Sequence, residues 1–183
     1  MRWERLFEDL EAEADEASRA ERNDEVADRT WREVGRQQLT DRLRAAAGRE
    51  IVVRVSGAGA VRGSVASTGN GWVLVDEISG TQTLVPTRHV IAVGGLGRKA
   101  AVPGSEGRVG ARLGLSYALR GISRDRVRVI LALVDGGTLT GIIARVGADF
   151  LDLAPAEGAD QGQARALTAV PLNAIVLIRR APA

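Results

Sequence analysis

The sequence predicts a mainly β protein in which one small five-stranded barrel unit occurs twice in tandem, behind N-terminal helices of which the first is acidic. Three observations predict it. The first 28 residues contain neither Gly nor Pro, from Glu50 the apolar residues change from helical spacing to alternation, and the segment 61–75 lies over 139–153 without a gap.

The N-terminal stretch is rich in Glu, Ala and Arg, all good helix formers. Trp3, Leu6, Phe7, Leu10 and Ala14 follow helical spacing and make one narrow apolar stripe. Such a helix is stable only when that stripe docks on something, so Trp3, Leu6, Phe7 and Leu10 are the expected contacts to a protein partner or a second copy. A membrane surface is the poorer fit, because the opposite face is acidic and anionic lipid would repel it. A second helix is expected over about Thr30 to Ala47, presenting Trp31, Val34, Leu39 and Leu43, with Gly48 at its C-terminal cap.

Ile51, Val53 and Val55 then alternate with polar positions, as in a half-buried strand. Short strands recur between Gly-rich turns at Val61–Ser67, Trp72–Asp76, Thr83–Pro86 and Val90–Val93. Gly57-Ala58-Gly59 and Gly69-Asn70-Gly71 read as hairpin turns; neither opens a helix as a phosphate loop would. The glycine-rich run that begins at Gly94 reads as a linker. Leu115, Ala118, Leu119 and Ile122 form a short amphipathic helix, and Val127, Val129, Leu131 and Leu133 alternate as the next strand.

From there the first pattern repeats. Gly63 matches Gly141, Ala66 matches Ala144, Gly69 matches Gly147 and Trp72 faces Phe150; further on, 83–93 matches 168–178 with Pro86 over Pro171. The identities fall where a bend restricts the residue type. The second copy carries a longer surface loop over 155–167. The expected organisation is an acidic arm over 1–29, a first barrel with its helix over 30–96, a linker over 97–111 and a second barrel with its helix over 112–183.

There are no cysteines, which excludes disulfides, thiolate metal sites and cysteine nucleophiles, and one histidine, His89, leaves a zinc or haem site almost without ligands. No serine or carboxylate stands at telling distance from His89, so it is expected on a strand in a structural role, and the protein is expected to be no enzyme and to need no cofactor. No apolar run approaches a membrane span and the N-terminus does not resemble a signal peptide, so the expected compartment is the cytoplasm. Lysine is almost wholly replaced by arginine, as in GC-rich bacterial genomes. The charge is polarised: residues 1–28 hold 11 acidic and four basic groups, a net of −7, and residues 29–183 hold 12 and 21, a net of +9. A basic body suggests an anionic partner.

The run from Val127 to Leu153, followed by Val170 to Arg180, resembles the Sm-like family, which includes the eukaryotic Sm proteins and the bacterial host-factor RNA chaperone. Asp135-Gly136 matches the turn after the first strand of that family, Gly141 its second-strand glycine, and Val170 to Ile178 its last two strands. The likeness covers about 113–180, and 39–96 more loosely. It implies five-stranded barrels of SH3-like type, oligomeric assembly and RNA binding. The positions of the family's uridine pocket hold Asp149 and Leu151 in one copy and Gly71 and Val73 in the other, so the implied binding is sequence-tolerant.

The candidate nucleic-acid residues are Arg120, Arg124, Arg126, Arg128, Arg179 and Arg180 in the second copy, with Arg54, Arg62 and Arg88 in the first. Arg124, Arg126 and Arg128 alternate as along one strand face and would make a phosphate-contacting strip; the rival reading is a solvated face whose arginines reflect codon supply. Trp72 and Phe150 are read as core or helix-packing residues before base-stacking platforms. The leading expected function is sequence-tolerant nucleic-acid binding, RNA before DNA, as in an RNA chaperone or regulator; the runner-up is an oligomeric protein-interaction scaffold with no nucleic-acid role.

Overall fold

Each half of the described chain opens with a short helix that lays Leu43 or Leu119 onto a following sheet; both leucines are fully buried. The computed structural model describes residues 34–102, 114–155 and 166–181. The elements are α1 (Leu39–Ala45), β1 (Glu50–Val55), β2 (Gly59–Gly69), β3 (Trp72–Glu77), β4 (Gln82–Pro86), a 3-10 turn (Thr87–His89) and β5 (Val90–Gly94). There follow α2 (Leu115–Arg124), β6 (Arg128–Leu133), β7 (Thr138–Val146), β8 (Phe150–Pro155), β9 (Thr168–Pro171), a second 3-10 turn (Leu172–Ala174) and β10 (Ile175–Arg180). Residues 38–183 form one compact unit. The acidic arm, with Trp3, Leu6, Phe7 and Leu10, lies outside the described residues.

The local geometry repeats closely. A Cβ added at Gly63 would stand 2.0 Å from the Asp76 carbonyl oxygen, and one at Gly141 2.2 Å from that of Ala154. Both pairings slip by one residue just beyond, between Val65 and Ser67 and between Ile143 and Arg145, so Ala66 and Ala144 are bulge residues. Both 3-10 turns start after a proline, Pro86 or Pro171. The Thr87 and Leu172 amides donate to the Gly71 and Asp149 carbonyls at 2.9 and 2.7 Å. Ser56 and Val134 donate to His89 and Ala174 at 2.9 and 3.0 Å.

The expected pair of five-stranded barrels is not what these repeats build. All ten strands join one open antiparallel sheet in the order β5-β1-β2-β3-β4-β10-β6-β7-β8-β9. The outer edge of β4 hydrogen-bonds to β10 of the other repeat, with Leu84 opposite Ile178 and Thr83 opposite Arg179. Each five-strand set therefore stays open, because the edge that closure would need is taken by the neighbour.

The cores cross the same seam. Trp72 and Leu84 of the first repeat are buried with Leu115, Leu119, Leu131, Ile143, Leu151 and Ile178 of the second. Val176 and Leu177 of the second are buried with Leu43, Val53, Val61, Val75 and Val85 of the first. β3, β4 and β10 thus bury both faces, which requires apolar residues at consecutive positions. That is why they read WVLV, TLVP and IVLI.

Three smaller expectations also change. The helix expected over Thr30 to Ala47 is interrupted: 34–36 are helical, 37–38 are not, and α1 starts at Leu39. Gln38 and the buried Asp41 form a reciprocal capping box there, and the Asp41 carboxylate accepts the Gln38 amide at 3.0 Å. His89 sits in a 3-10 turn, where Pro86 has already ended the strand. Arg124 closes α2, Arg126 occupies a left-handed turn position at φ 50°, and only Arg128 lies in a strand, so the three share no strand face.

Candidate functional site

The seam is held by more than its apolar contacts. Arg179, on β10, donates from Nε to Glu77 Oε1 at 3.0 Å and to Thr83 Oγ1 at 3.1 Å. The fully buried Thr83 hydroxyl donates in turn to Glu77. Glu77 is only 17% exposed, so a one-residue slip of β10 would leave its carboxylate without its cation. At the other end of the seam the two 3-10 turns meet. Arg88 donates to the Leu172 carbonyl, and His89 Nε2 lies 3.1 Å from the Asn173 carbonyl. Burial, and then the Arg88 charge, push the His89 pKa below its ordinary value, while the Asn173 carbonyl pulls the other way.

Among the described residues, the sheet ends on two strands with an unpaired edge, β5 and β9. These are the repeat counterparts of the two strands that meet at the seam. By the internal match, Thr168 and Ala169 stand where Thr83 and Leu84 stand, and Val93 and Gly94 where Ile178 and Arg179 stand. The free edges expose Ile91 (61%) and Leu167 (52%). The edge at β9 is also less apolar than the seam, since Ala169 replaces Leu84, and on the neighbouring β8 Asp152 replaces Leu74. Asp152 is buried and paired with Arg145 at 2.6 Å.

The predicted nucleic-acid residues are distributed more widely than a strip. Arg120, Arg124, Arg126 and Arg128 are all exposed, over the end of α2 and the start of β6. Arg54 and Arg62 are exposed and diagonal on the outer face of β1 and β2, since Val52 pairs with Arg62 and Arg54 with Ala60. Arg88 and Arg179 hold contacts within the seam, and Arg180 ends β10. Trp72 is 7% exposed and belongs to the core. The Phe150 ring packs over Gly147, with the Arg145 guanidinium 6.0 Å from its centroid. Sequence reasoning passed over the Arg145–Asp152 and Arg179–Glu77 pairs. The signal for the first was a carboxylate inside the apolar run FLDL, which demands a cation.

Among the described residues no group of three or more His, Asp or Glu side chains is placed to hold a metal ion, and no helix is long and apolar enough to cross a membrane. No known protein family matches the chain, and no curated protein is significantly similar to it.

Proposed function

We propose that this protein is a non-enzymatic assembly module, a scaffold whose chains join edge to edge through β5 and β9. One observation carries the reading: the chain already contains a finished example of the junction. β4 and β10 pair at the seam, and the two free edges are their repeat counterparts, so the same pairing between chains would set Ala169 opposite Val93 and Thr168 opposite Gly94. Backbone edges left open invite this kind of partner. The replacement of Leu84 by Ala169 makes the junction between chains weaker than the one within, and hence concentration-dependent. The Sm-like kinship is proposed on the repeated helix-and-five-strand order and on the close-approach glycines Gly63 and Gly141.

Light scattering tests the assembly. The expected mass is a multiple of the 19.4 kDa chain at micromolar concentration. Ile91→Arg and Ala169→Arg, both at exposed positions, should each return it to the single chain. A wild-type protein that is monomeric throughout overturns the proposal.

A second reading, sequence-tolerant binding of RNA or another polyanion, is favoured by one specific observation. Arg120, Arg124 and Arg126 are exposed and have no side-chain partner among the described residues. Their contacts would go to phosphate, so affinity should fall steeply with salt. The log–log slope should shrink by roughly 0.7–0.9 for each arginine changed to Ala. Equal binding by wild type and the triple variant sinks this reading and leaves the scaffold standing.

A further inference from the structure

The seam carries a half-open pocket of about 270 Å³ that the assembly reading does not use, with the exposed Asp125 and Arg180 in its lining. Its apolar wall comes from both repeats: Trp72, Leu74 and Leu84 on β3 and β4, with Ile122 on α2, Val129 on β6 and Ile178 on β10. Its polar lining includes two opposite charges, Asp125 at the C-terminal cap of α2 and Arg180 at the end of β10. Among the described residues neither side chain makes a hydrogen bond or an ion pair. The pocket is smaller than the roughly 300–1,000 Å³ of sites for drug-sized ligands, so it suits a small molecule. An apolar cavity whose lining offers one unpaired cation and one unpaired anion is complementary to an apolar body bearing both charges.

We infer that this pocket binds a small apolar amino acid, with its carboxylate on Arg180, its ammonium on Asp125 and its side chain against Trp72, Leu74 and Leu84. Burying the side chain supplies the driving force, and the two charges supply orientation and selection. On β8 Asp152 occupies the place of Leu74, so the apolar wall is not repeated there. Among the described residues the site occurs once, and its occupant touches both repeats.

Calorimetric titration of the full chain with L-phenylalanine, hydrocinnamate (no ammonium) and phenethylamine (no carboxylate) tests the inference. Saturable binding of phenylalanine at one site per chain is expected, with each truncated ligand weaker by about tenfold or more. Asp125→Asn should erase the difference between phenylalanine and hydrocinnamate, and Arg180→Gln that between phenylalanine and phenethylamine. Ala118 lines the pocket from α2, so Ala118→Leu should fill it and abolish binding of all three while circular dichroism stays unchanged. No saturable binding of phenylalanine overturns the inference and marks the pocket as a packing gap only. Equal binding of the three ligands, or discrimination that survives Asp125→Asn and Arg180→Gln, overturns it as well. Neither result bears on edge-to-edge assembly, which light scattering reads separately.

Discussion

Gly63 and Gly141 illustrate what a single residue can decide in this fold. Each lies so close to the facing strand that a Cβ would meet a backbone carbonyl at 2.0 or 2.2 Å, and backbone cannot rotate away as a flexible side chain can. Gly63→Ala and Gly141→Ala should each cost about 1–3 kcal/mol in denaturant melts. Gly121 is the control. It lies inside α2 with nothing within 4 Å of an added Cβ, so Gly121→Ala should stabilise by about 0.5–1 kcal/mol. His89 makes a prediction of another kind. Its ordinary pKa of 6.5 applies to the unfolded chain, and in the fold burial and Arg88 hold it lower. The folded protein then binds fewer protons, so the stability that neutral His89 contributes is complete above pH 6.5. It is lost as the pH falls from there through the folded-state pKa. Chemical denaturation against pH should show this limb in wild type and flatten it in His89→Gln. The Arg88 and Asn173 contacts are the groups that set its position.

At the scale of the element, the seam strands β4 and β10 are buried at four consecutive positions each. Leu84 is 3% exposed and faces the core of the other repeat, so Leu84→Ala should cost about 2–5 kcal/mol. Its counterpart Ala169 is exposed on β9, and Ala169→Leu makes the free edge more like the seam. That variant should associate at lower concentration than wild type in sedimentation or light scattering, with its secondary structure unchanged. An unaltered association constant would separate the free edge from the seam as a binding surface. The Arg179–Glu77 pair is half exposed on the arginine side, at 38%, so its removal should cost little, about 1 kcal/mol or less. Its importance lies in register, since it ties β10 to β3 and β4 in one alignment only.

For the whole molecule, interlocked cores mean that neither repeat is complete alone. Val176 and Leu177 fill the core of the first repeat, and Trp72 and Leu84 that of the second. Thermal unfolding of residues 38–183 should be one cooperative transition rather than two. Chains cut within 103–111 and expressed separately should expose apolar surface and bind a hydrophobic dye, whereas co-expression should restore the fold. Two independently folding halves would contradict the shared cores.

The repeat and most of its elements are legible in the residues alone. Period-two alternation from Glu50 located the strands, because one buried face leaves that pattern wherever a strand lies on a core. Gly63, Gly141, Pro86 and Pro171 marked close approaches and turns, because few residue types tolerate them. The residues also show that strands such as β10 are apolar at consecutive positions, and hence covered on both faces. Which strands and helices cover them depends on contacts made in three dimensions. Strand pairing is made by backbone groups that every residue carries, so nothing in the side chains of β4 names β10 as its neighbour in preference to β5. The same reason hid the pocket and placed the arginines. Asp125 and Arg180 stand far apart in the chain and meet because β10 pairs with β6, with Arg180 opposite Val129, and the wall of Trp72, Leu74 and Leu84 joins them because the sheet runs on into the first repeat. Arg124, Arg126 and Arg128 look alternate in sequence, yet the helix ends and the chain turns between them.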